Sequence, residues 1–379
     1  MKNKIKIAFF ISNLGQGGAE NQFVQLIKGL DKNIFDVHVY LYAYQKKAFF
    51  DEVFLYENIT VTSHKLKKKI PLFKIIEALS YIRKRLFLQK FDVVYTTLFM
   101  NGFFVRLASP RSYKNKIVAS VRSSIRYYHY YYKSFLLAEK CLIKNSFLVF
   151  NSKNSLSEFK PIFRKKHHNR LKMIYNGFMF PTIHEKNNEK NNKIHIGGIG
   201  RQSKQKNFLQ IVRVFNELNS NLDEEKKINL ILQGNEGDQT QEIRQQVMEG
   251  NSDIELRKPN PKIESFFSDI EIMILPSSFE GCPNVLFESM AYKRICIISE
   301  GANSDDFVIN GVNGFVYDGT DAGLLKSLKN ALSIIGTKSQ KKIVDSAYSY
   351  ATQNFNMEIM VNNYEELFKG IYEKNKSSN

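Results

Sequence analysis

The stretch IHIGGIGRQSKQKN at residues 194–207 decides how the chain is read. It opens as a short apolar strand, passes through a glycine turn and leads into NFLQIVRVFNELN, which has helical period. The N-terminal region makes the same move. There KIKIAFFIS runs into the glycine-rich NLGQGGAEN, and the helix-like ENQFVQLIKGL follows. A strand–turn–helix start that recurs midway points to two domains of one kind. At 379 residues the chain is also too long for one ordinary core.

Working outward, short strand candidates alternate with helical segments in both halves. In the first half they are FDVHVYLY, ITVTSHKL, FDVVYTTL, KIVASV, SFLVFNS and LKMIYNG, with PLFKIIEALSYIRKRLFLQK as the longest helical stretch. In the second they are INLILQG, IELRKP, IEIMILP and RICIIS, with helix candidates PNVLFESMAYK and AGLLKSLKNALSIIG. Short apolar strands alternating with helices predict parallel sheets covered on both faces. The expected fold is α/β: two Rossmann-like, doubly wound domains facing a cleft. Residues 1–180 form the first and 193–355 the second, with PTIHEKNNEKNN (181–192) as linker and 356–379 as a terminal amphipathic helix and tail. Ligands of such sheets bind beyond the carboxyl ends of the strands.

The composition narrows the class. A hydrophobic share of 43% with 30 Phe and 19 Tyr supplies folded cores. No apolar run reaches the ~18–20 residues needed to cross a bilayer. The start, MKNKIKIAFFIS, lacks the apolar length and small-residue cleavage site of a signal peptide and reads as a first strand. Three scattered cysteines, Cys141, Cys282 and Cys296, fit a reducing cytoplasm and form no metal-binding pattern. The net charge of +18 is unevenly placed: residues 1–180 carry +22 and the remainder −4. That asymmetry suggests that the halves meet different partners.

Three segments have the chemistry of an anion site. In NLGQGGAEN, Gly17 and Gly18 allow close backbone approach at a helix start, whose positive end favours an anion. An ordinary strand-to-helix turn would look the same. In GIGRQSKQKN, Arg201 and Lys206 are two cations at a strand end, able to clamp a diphosphate or to be solvated surface charges. In IMILPSSFEGCPNVLFES, a strand ends, Gly281 turns the chain and Pro283 suits the first helical position. The N–H groups of Asn284, Val285 and Leu286 are then first-turn donors. Glu280 and Glu288 bracket this helix start. They are too far apart to act on one atom and suit the two ends of an extended ligand. Asp305 and Asp306 read as a helix-start cap, and no Asp-x-Asp metal motif stands out.

Together, GGAEN, GRQSKQKN and LPSSFEGCPNVLFESMA followed by INGVNGFVY resemble the family 4 retaining glycosyltransferases of the GT-B fold. Glu280 and Glu288 match that family's E-x7-E signature. The resemblance implies a nucleotide-sugar donor, most often UDP-linked, held by the C-terminal domain. Arg201 and Lys206 would hold the diphosphate, Glu280 the hydroxyls of the transferred sugar, and Glu288 the ribose. The backbone from Gly281 through Cys282 and Pro283 to Leu286 would line phosphate and sugar. Gly17 and Gly18 would approach the phosphates from the N-domain, and the last helix would cross back to that domain. Retention at the anomeric carbon is implied as well, and the lack of an Asp-x-Asp motif fits a reaction that uses no metal or other cofactor. Two departures stand out. Thr97 occupies the region where many members carry a histidine, and QGNEGDQ (233–239) is looser than the usual glycine–x–glycine–proline loop.

The basic first half points to the acceptor. Clusters at 63–85, 121–135 and 163–172 mix Lys and Arg with Phe, Tyr, Ile and Leu, as a surface resting on anionic lipid would. Arg122 and Arg126 are candidate ligands for an acceptor diphosphate. The expected function is transfer of a hexose or N-acetylhexosamine to a lipid-carried glycan in capsule, O-antigen or related polysaccharide synthesis. It would take place at the inner face of the cytoplasmic membrane. The alternatives are a nucleic-acid-binding α/β protein, a GT-B enzyme of another reaction such as a nucleotide-sugar epimerase, and a GT-B protein that binds without turnover. The first lacks any RRM, KH or zinc signature and leaves the C-terminal motifs unexplained, so no nucleic-acid partner is expected.

Overall fold

The structure is a computed structural model that describes residues 4–15, 17–45, 51–122, 125, 139–181, 193–222, 228–250, 253–260 and 262–377. The chain divides into two compact units, one of Met1–Gly177 with Met357–Asn379 and one of Phe178–Asn356. Arg126 and residues 182–192 of the expected linker lie outside the described residues.

The first unit is built on a seven-stranded parallel sheet. Its strands are β1 (Ile5–Ile11), β2 (Phe35–Leu41), β3 (Ile59–Ser63), β4 (Val93–Thr97), β5 (Ile117–Val121), β6 (Ser146–Phe150) and β7 (Leu171–Met173), in the order β3-β2-β1-β4-β5-β6-β7. Every residue of β4 and β5 is buried, as strands covered on both faces require. Helices α1 (Gly18–Gly29), α2 (Pro71–Leu88), α3 (Phe99–Ala108) and α4 (Lys153–Phe159) belong to this unit.

The second unit repeats the plan with six parallel strands: β8 (His195–Ile199), β9 (Asn229–Gln233), β10 (Ile254–Arg257), β11 (Ile272–Leu275), β12 (Ile295–Ser299) and β13 (Phe315–Tyr317). Their order is β10-β9-β8-β11-β12-β13. Its helices are α5 (Phe208–Ser220), α6 (Thr240–Glu249), α7 (Ile263–Ser268), α8 (Asn284–Ala291), α9 (Asp321–Ser333) and α10 (Lys338–Asn354). Both sheets thus follow the Rossmann order, in which the first and fourth strands lie side by side and the winding reverses between them.

Helix α11 (Met357–Lys376) closes the first unit. It buries Met360, Val361, Tyr364, Phe368 and Ile371 in the core that also holds Phe9, Phe23, Phe35 and Tyr95. Phe368 meets Phe9 edge-on, with ring centroids 6.3 Å apart at 89°. Glu365 accepts the Asp31 N–H at 2.8 Å, so a polar contact also ties the helix to the chain after α1.

Asp305 and Asp306 do not start a helix. They lie in a turn with φ +54° at Asp306, and that loop is held by Asn303, which exchanges two hydrogen bonds with the Val308 backbone at 2.9 Å each. The motif INGVNGFVY is likewise a turn followed by the edge strand β13. Asn313 accepts the Ile309 N–H at 2.7 Å and donates to the Phe307 carbonyl at 3.1 Å.

Candidate functional site

In the second unit, β8 and β11 are the central neighbours, and their chains leave toward opposite halves of the sheet. A crevice therefore opens beyond their carboxyl ends. The loop after β8 carries Arg201 and Lys206, and the loop after β11 carries Glu280. The two loops are stitched together. Ser278 N–H donates to the Gln205 carbonyl at 2.8 Å, Gln205 Nε2 donates to the Phe279 carbonyl at 2.9 Å, and Lys206 Nζ donates to Glu280 Oε1 at 2.6 Å.

A third loop, after β9, locks onto the first. Gln202 N–H bonds the Asn235 carbonyl at 2.9 Å, Gln239 N–H bonds the Gln202 carbonyl at 3.1 Å, and Lys204 N–H reaches Asp238 Oδ1 at 3.1 Å. Gly234 has φ +157°, and a Cβ there would stand 1.7 Å from the Gly200 carbonyl oxygen. Only glycine fits where two backbones approach so closely. The 233–239 loop departs from the usual glycine pattern in sequence, yet it packs backbone to backbone against the Arg201 loop.

Lys206 and Glu280 are both half-buried, which strengthens their attraction over that of an exposed pair. Arg201 is exposed and has no hydrogen bond or ion pair from its side chain among the described residues. Helix α8 starts one residue later than the sequence suggests: Pro283 is the N-cap, in extended conformation, and makes no side-chain cap. Leu286 is also corrected as a free donor, because its N–H is taken by the Pro283 carbonyl at 3.0 Å. Gly281, Cys282, Pro283, Val285 and Leu286 are buried, and Asn284 is half-buried.

Phe287 anchors α8. Fully buried, it stacks on Phe355 with centroids 3.7 Å apart and meets Phe307 edge-on at 5.1 Å. Glu288, the next residue, is half-buried, and its carboxylate has no hydrogen-bond partner among the described residues. Burial pushes its carboxyl up to about 7, and the neighbouring Glu264 carboxylate adds to the shift. When ionised, a carboxylate without a donor partner among the described residues can accept hydrogen bonds from hydroxyl groups.

In the first unit, Gly17 is the extended N-cap of α1, and Gly18 is the first residue of that helix. The space where a Gly17 side chain would begin is taken by the Glu20 carboxylate, 2.3 Å from an ideal Cβ. Thr97 ends β4 and is fully buried. It receives Arg122 Nε at 3.3 Å, and the same guanidinium bonds the Tyr95 hydroxyl at 3.2 Å and Asn176 Oδ1. Structural partners therefore occupy the Arg122 side chain. Leu98, immediately after Thr97, has φ +70°, a conformation L-residues with branched side chains rarely adopt. Strain thus sits where β4 turns into α3, beside the β1 terminus, at this sheet's own reversal point.

The sequence reading missed Gln205, whose main chain and side chain join the loops bearing Lys206 and Glu280. It also missed Glu264 as the like charge near Glu288. Gln205 lies within GRQSKQKN, but its bonds to the 278–279 backbone, like the approach of Glu264 to Glu288, come only with folding.

Two family models match nearly end to end: Glycosyltransferase Family 4 over residues 16–178 and Glycosyl transferases group 1 over residues 179–350. Taken together, the two matches mark the chain as a GT4-type glycosyltransferase. It is 21% identical over 310 residues to an uncharacterized 41.2 kDa protein in the cps region of Klebsiella pneumoniae, spanning 76% of this chain and 81% of that one. HepE of Anabaena, solved with UDP-glucose, superposes with a TM-score of 0.77 at 18% identity, covering 97% of this chain and 100% of HepE. The lipopolysaccharide outer core galactosyltransferase WaaB gives a TM-score of 0.70 at 16% identity, with coverage of 97% and 100%. These likenesses establish the GT-B fold of this glycosyltransferase. Among the described residues no helix is long and apolar enough to cross a membrane, and no three His, Cys, Asp or Glu side chains gather as metal ligands.

Proposed function

We propose that this glycosyltransferase moves a hexose or N-acetylhexosamine from a UDP-sugar to a lipid-carried glycan during surface-polysaccharide synthesis, with retention at the anomeric carbon. The observation that carries the donor half is the Lys206–Glu280 pair at 2.6 Å at the reversal point of the second sheet, on loops that also lead to Arg201 and Glu288, whose charged groups have no hydrogen-bond partner among the described residues. Arg201, Lys206 and the start of α8 take the diphosphate. Glu280 accepts from the sugar hydroxyls and Glu288 from the ribose diol. UDP is favoured as the carrier because HepE, a structure of the same fold, was solved with UDP-glucose.

In the reaction the bond from the anomeric carbon to the UDP oxygen breaks. The acceptor hydroxyl oxygen bonds to that carbon on the same face, and its proton passes to the departing phosphate. Arg201 and Lys206 stabilise the charge that builds on that phosphate without a metal ion. The first unit, with its surplus of cations, serves an anionic, membrane-borne acceptor. The cps-region relative and WaaB lend support to a polysaccharide pathway.

The test is donor binding and slow donor hydrolysis with a panel of UDP- and GDP-sugars in the presence of chelator. Wild type is compared with Glu280→Ala and Arg201→Ala. One UDP-sugar should be bound and hydrolysed, and both substitutions should remove hydrolysis. Loss of activity on chelation alone would overturn the metal-free mechanism, and a panel without any binder would overturn the donor assignment.

A further inference from the structure

Helix α2 has two apolar faces, and only one of them is used. Ala78, Tyr81, Ile82 and Leu86 are buried in the first unit. On the opposite side Leu72 is 63% exposed, Phe73 50%, Ile76 49% and Phe87 80%. At 100° per residue these four project within one outward stripe, together with Ser80, Arg83 and Lys84. A surface helix ordinarily turns polar residues outward. Here four of the seven outward residues, spread over ~22 Å, are apolar; the others are Ser80, Arg83 and Lys84, and none is a carboxylate.

The loop that feeds α2 adds charge. Residues 67–76 are exposed throughout and include Lys67, Lys68, Lys69 and Lys74. Glu77, the one acid between residues 58 and 91, is turned to internal work: it accepts the Lys67 and Lys68 N–H groups at 3.1 Å and meets His64 Nε2 at 3.1 Å. His64 in turn stacks on Tyr81, with centroids 4.5 Å apart at 13°. The lysine-bearing loop is therefore fastened to the helix in a fixed shape, and its only neutralising charge is spent on the fastening.

We propose that the outward face of α2 lies in the plane of an anionic lipid surface, with Leu72, Phe73, Ile76 and Phe87 entering the acyl boundary and Lys67–Lys69, Arg83 and Lys84 meeting lipid phosphates. Charge complementarity selects this occupant. A second copy docked through the same face would set lysines against lysines. An anionic headgroup layer over an apolar interior matches both the cations and the apolar stripe. The inference rests on the membrane-borne acceptor proposed above and names the contact that would bring the enzyme to it.

The chain has no tryptophan, so Phe73→Trp places a single fluorophore on the stripe. With phosphatidylcholine vesicles containing phosphatidylglycerol, its emission should shift to the blue and be quenched by acyl-chain bromine; with phosphatidylcholine alone it should not. In flotation, Leu72→Ser/Phe73→Ser/Ile76→Ser should lower partition into the anionic vesicles by about tenfold or more, since each buried apolar side chain adds to interfacial affinity. Lys67→Ser/Lys68→Ser/Lys69→Ser should weaken binding and its salt sensitivity. Both variants should keep wild-type hydrolysis of soluble donor. A blue shift that follows protein concentration rather than lipid would assign the face to a second copy and overturn the proposal, as would emission unchanged by any vesicle. Donor hydrolysis is read separately, so its absence alongside a lipid response removes the donor assignment and leaves this inference standing.

Discussion

Lys206 and Glu280, 74 residues apart in sequence, form a half-buried ion pair at 2.6 Å. Each of the two groups proposed to hold the donor is thus paired with the other. On that proposal, binding a diphosphate sugar amounts to an exchange: phosphate replaces carboxylate on Lys206, and sugar hydroxyls replace ammonium on Glu280.

Glu280→Gln removes the competitor for Lys206 while keeping the shape of the side chain. UDP alone should bind about threefold to tenfold more tightly, because the ammonium no longer has a charged partner to leave. Sugar transfer should fall by about a hundredfold or more. Calorimetric titration with UDP beside a transfer assay checks the split; weaker UDP binding would refute the exchange.

Lys206→Ala leaves a half-buried carboxylate without its partner and should cost about 1–3 kcal/mol of stability. Adding Glu280→Gln to it should restore much of that loss. A double-mutant cycle by urea denaturation measures the coupling, and additive effects would show that the contact is energetically idle.

Glu288 makes opposite demands on stability and binding. Its carboxyl sits near 7 in the folded chain, above the ordinary 4.5. Between those values the native state holds a proton that the unfolded chain has released, so stability falls as pH rises through this window, and the cost is complete above 7. Glu288→Gln should therefore be more stable than wild type at pH 8, by roughly 1–2 kcal/mol, and should lose that advantage below about pH 4.5. Thermal unfolding at the two pH values tests this.

The same carboxyl gives donor binding a pH dependence. If the ionised form accepts the ribose hydroxyls, affinity for a UDP-sugar should be about tenfold weaker at pH 6 than at pH 8, and flat in Glu288→Gln. A UDP-sugar is the right probe because its diphosphate is doubly esterified and does not titrate there. A wild-type profile without slope would remove Glu288 from the ribose site.

Gly234→Ala should disable the site without touching a charged group. The methyl would lie 1.7 Å from the Gly200 carbonyl oxygen at a backbone angle suited to glycine. The loops bearing Gly234 and Arg201 would have to separate, with an expected loss of at least about 2 kcal/mol and of donor binding. Normal binding in this variant would mean that the loop contact does not position Arg201 and Lys206.

Periodicity and glycine punctuation alone reveal two doubly wound parallel sheets, because strands buried on both faces read as near-continuous apolar runs, as IMIL of β11 does. Strand ends and helix pitch also bring the cations after β8, Glu280 and Glu288 forward as candidates for an extended anionic ligand; the donor roles given to them rest on the family resemblance. The sequence could not tell that Lys206 is already paired with Glu280, that Gln205 joins their loops, or that Glu264 and burial lift the Glu288 carboxyl. Those are contacts between segments brought together by strand order. Nor could the helical period of 71–88 show that α2 has a spare apolar face, since the pattern is the same whether both faces are covered or one. Only packing decides that: the inner stripe is taken up by the core of the first unit, and the apolar residues of the outer stripe stay exposed.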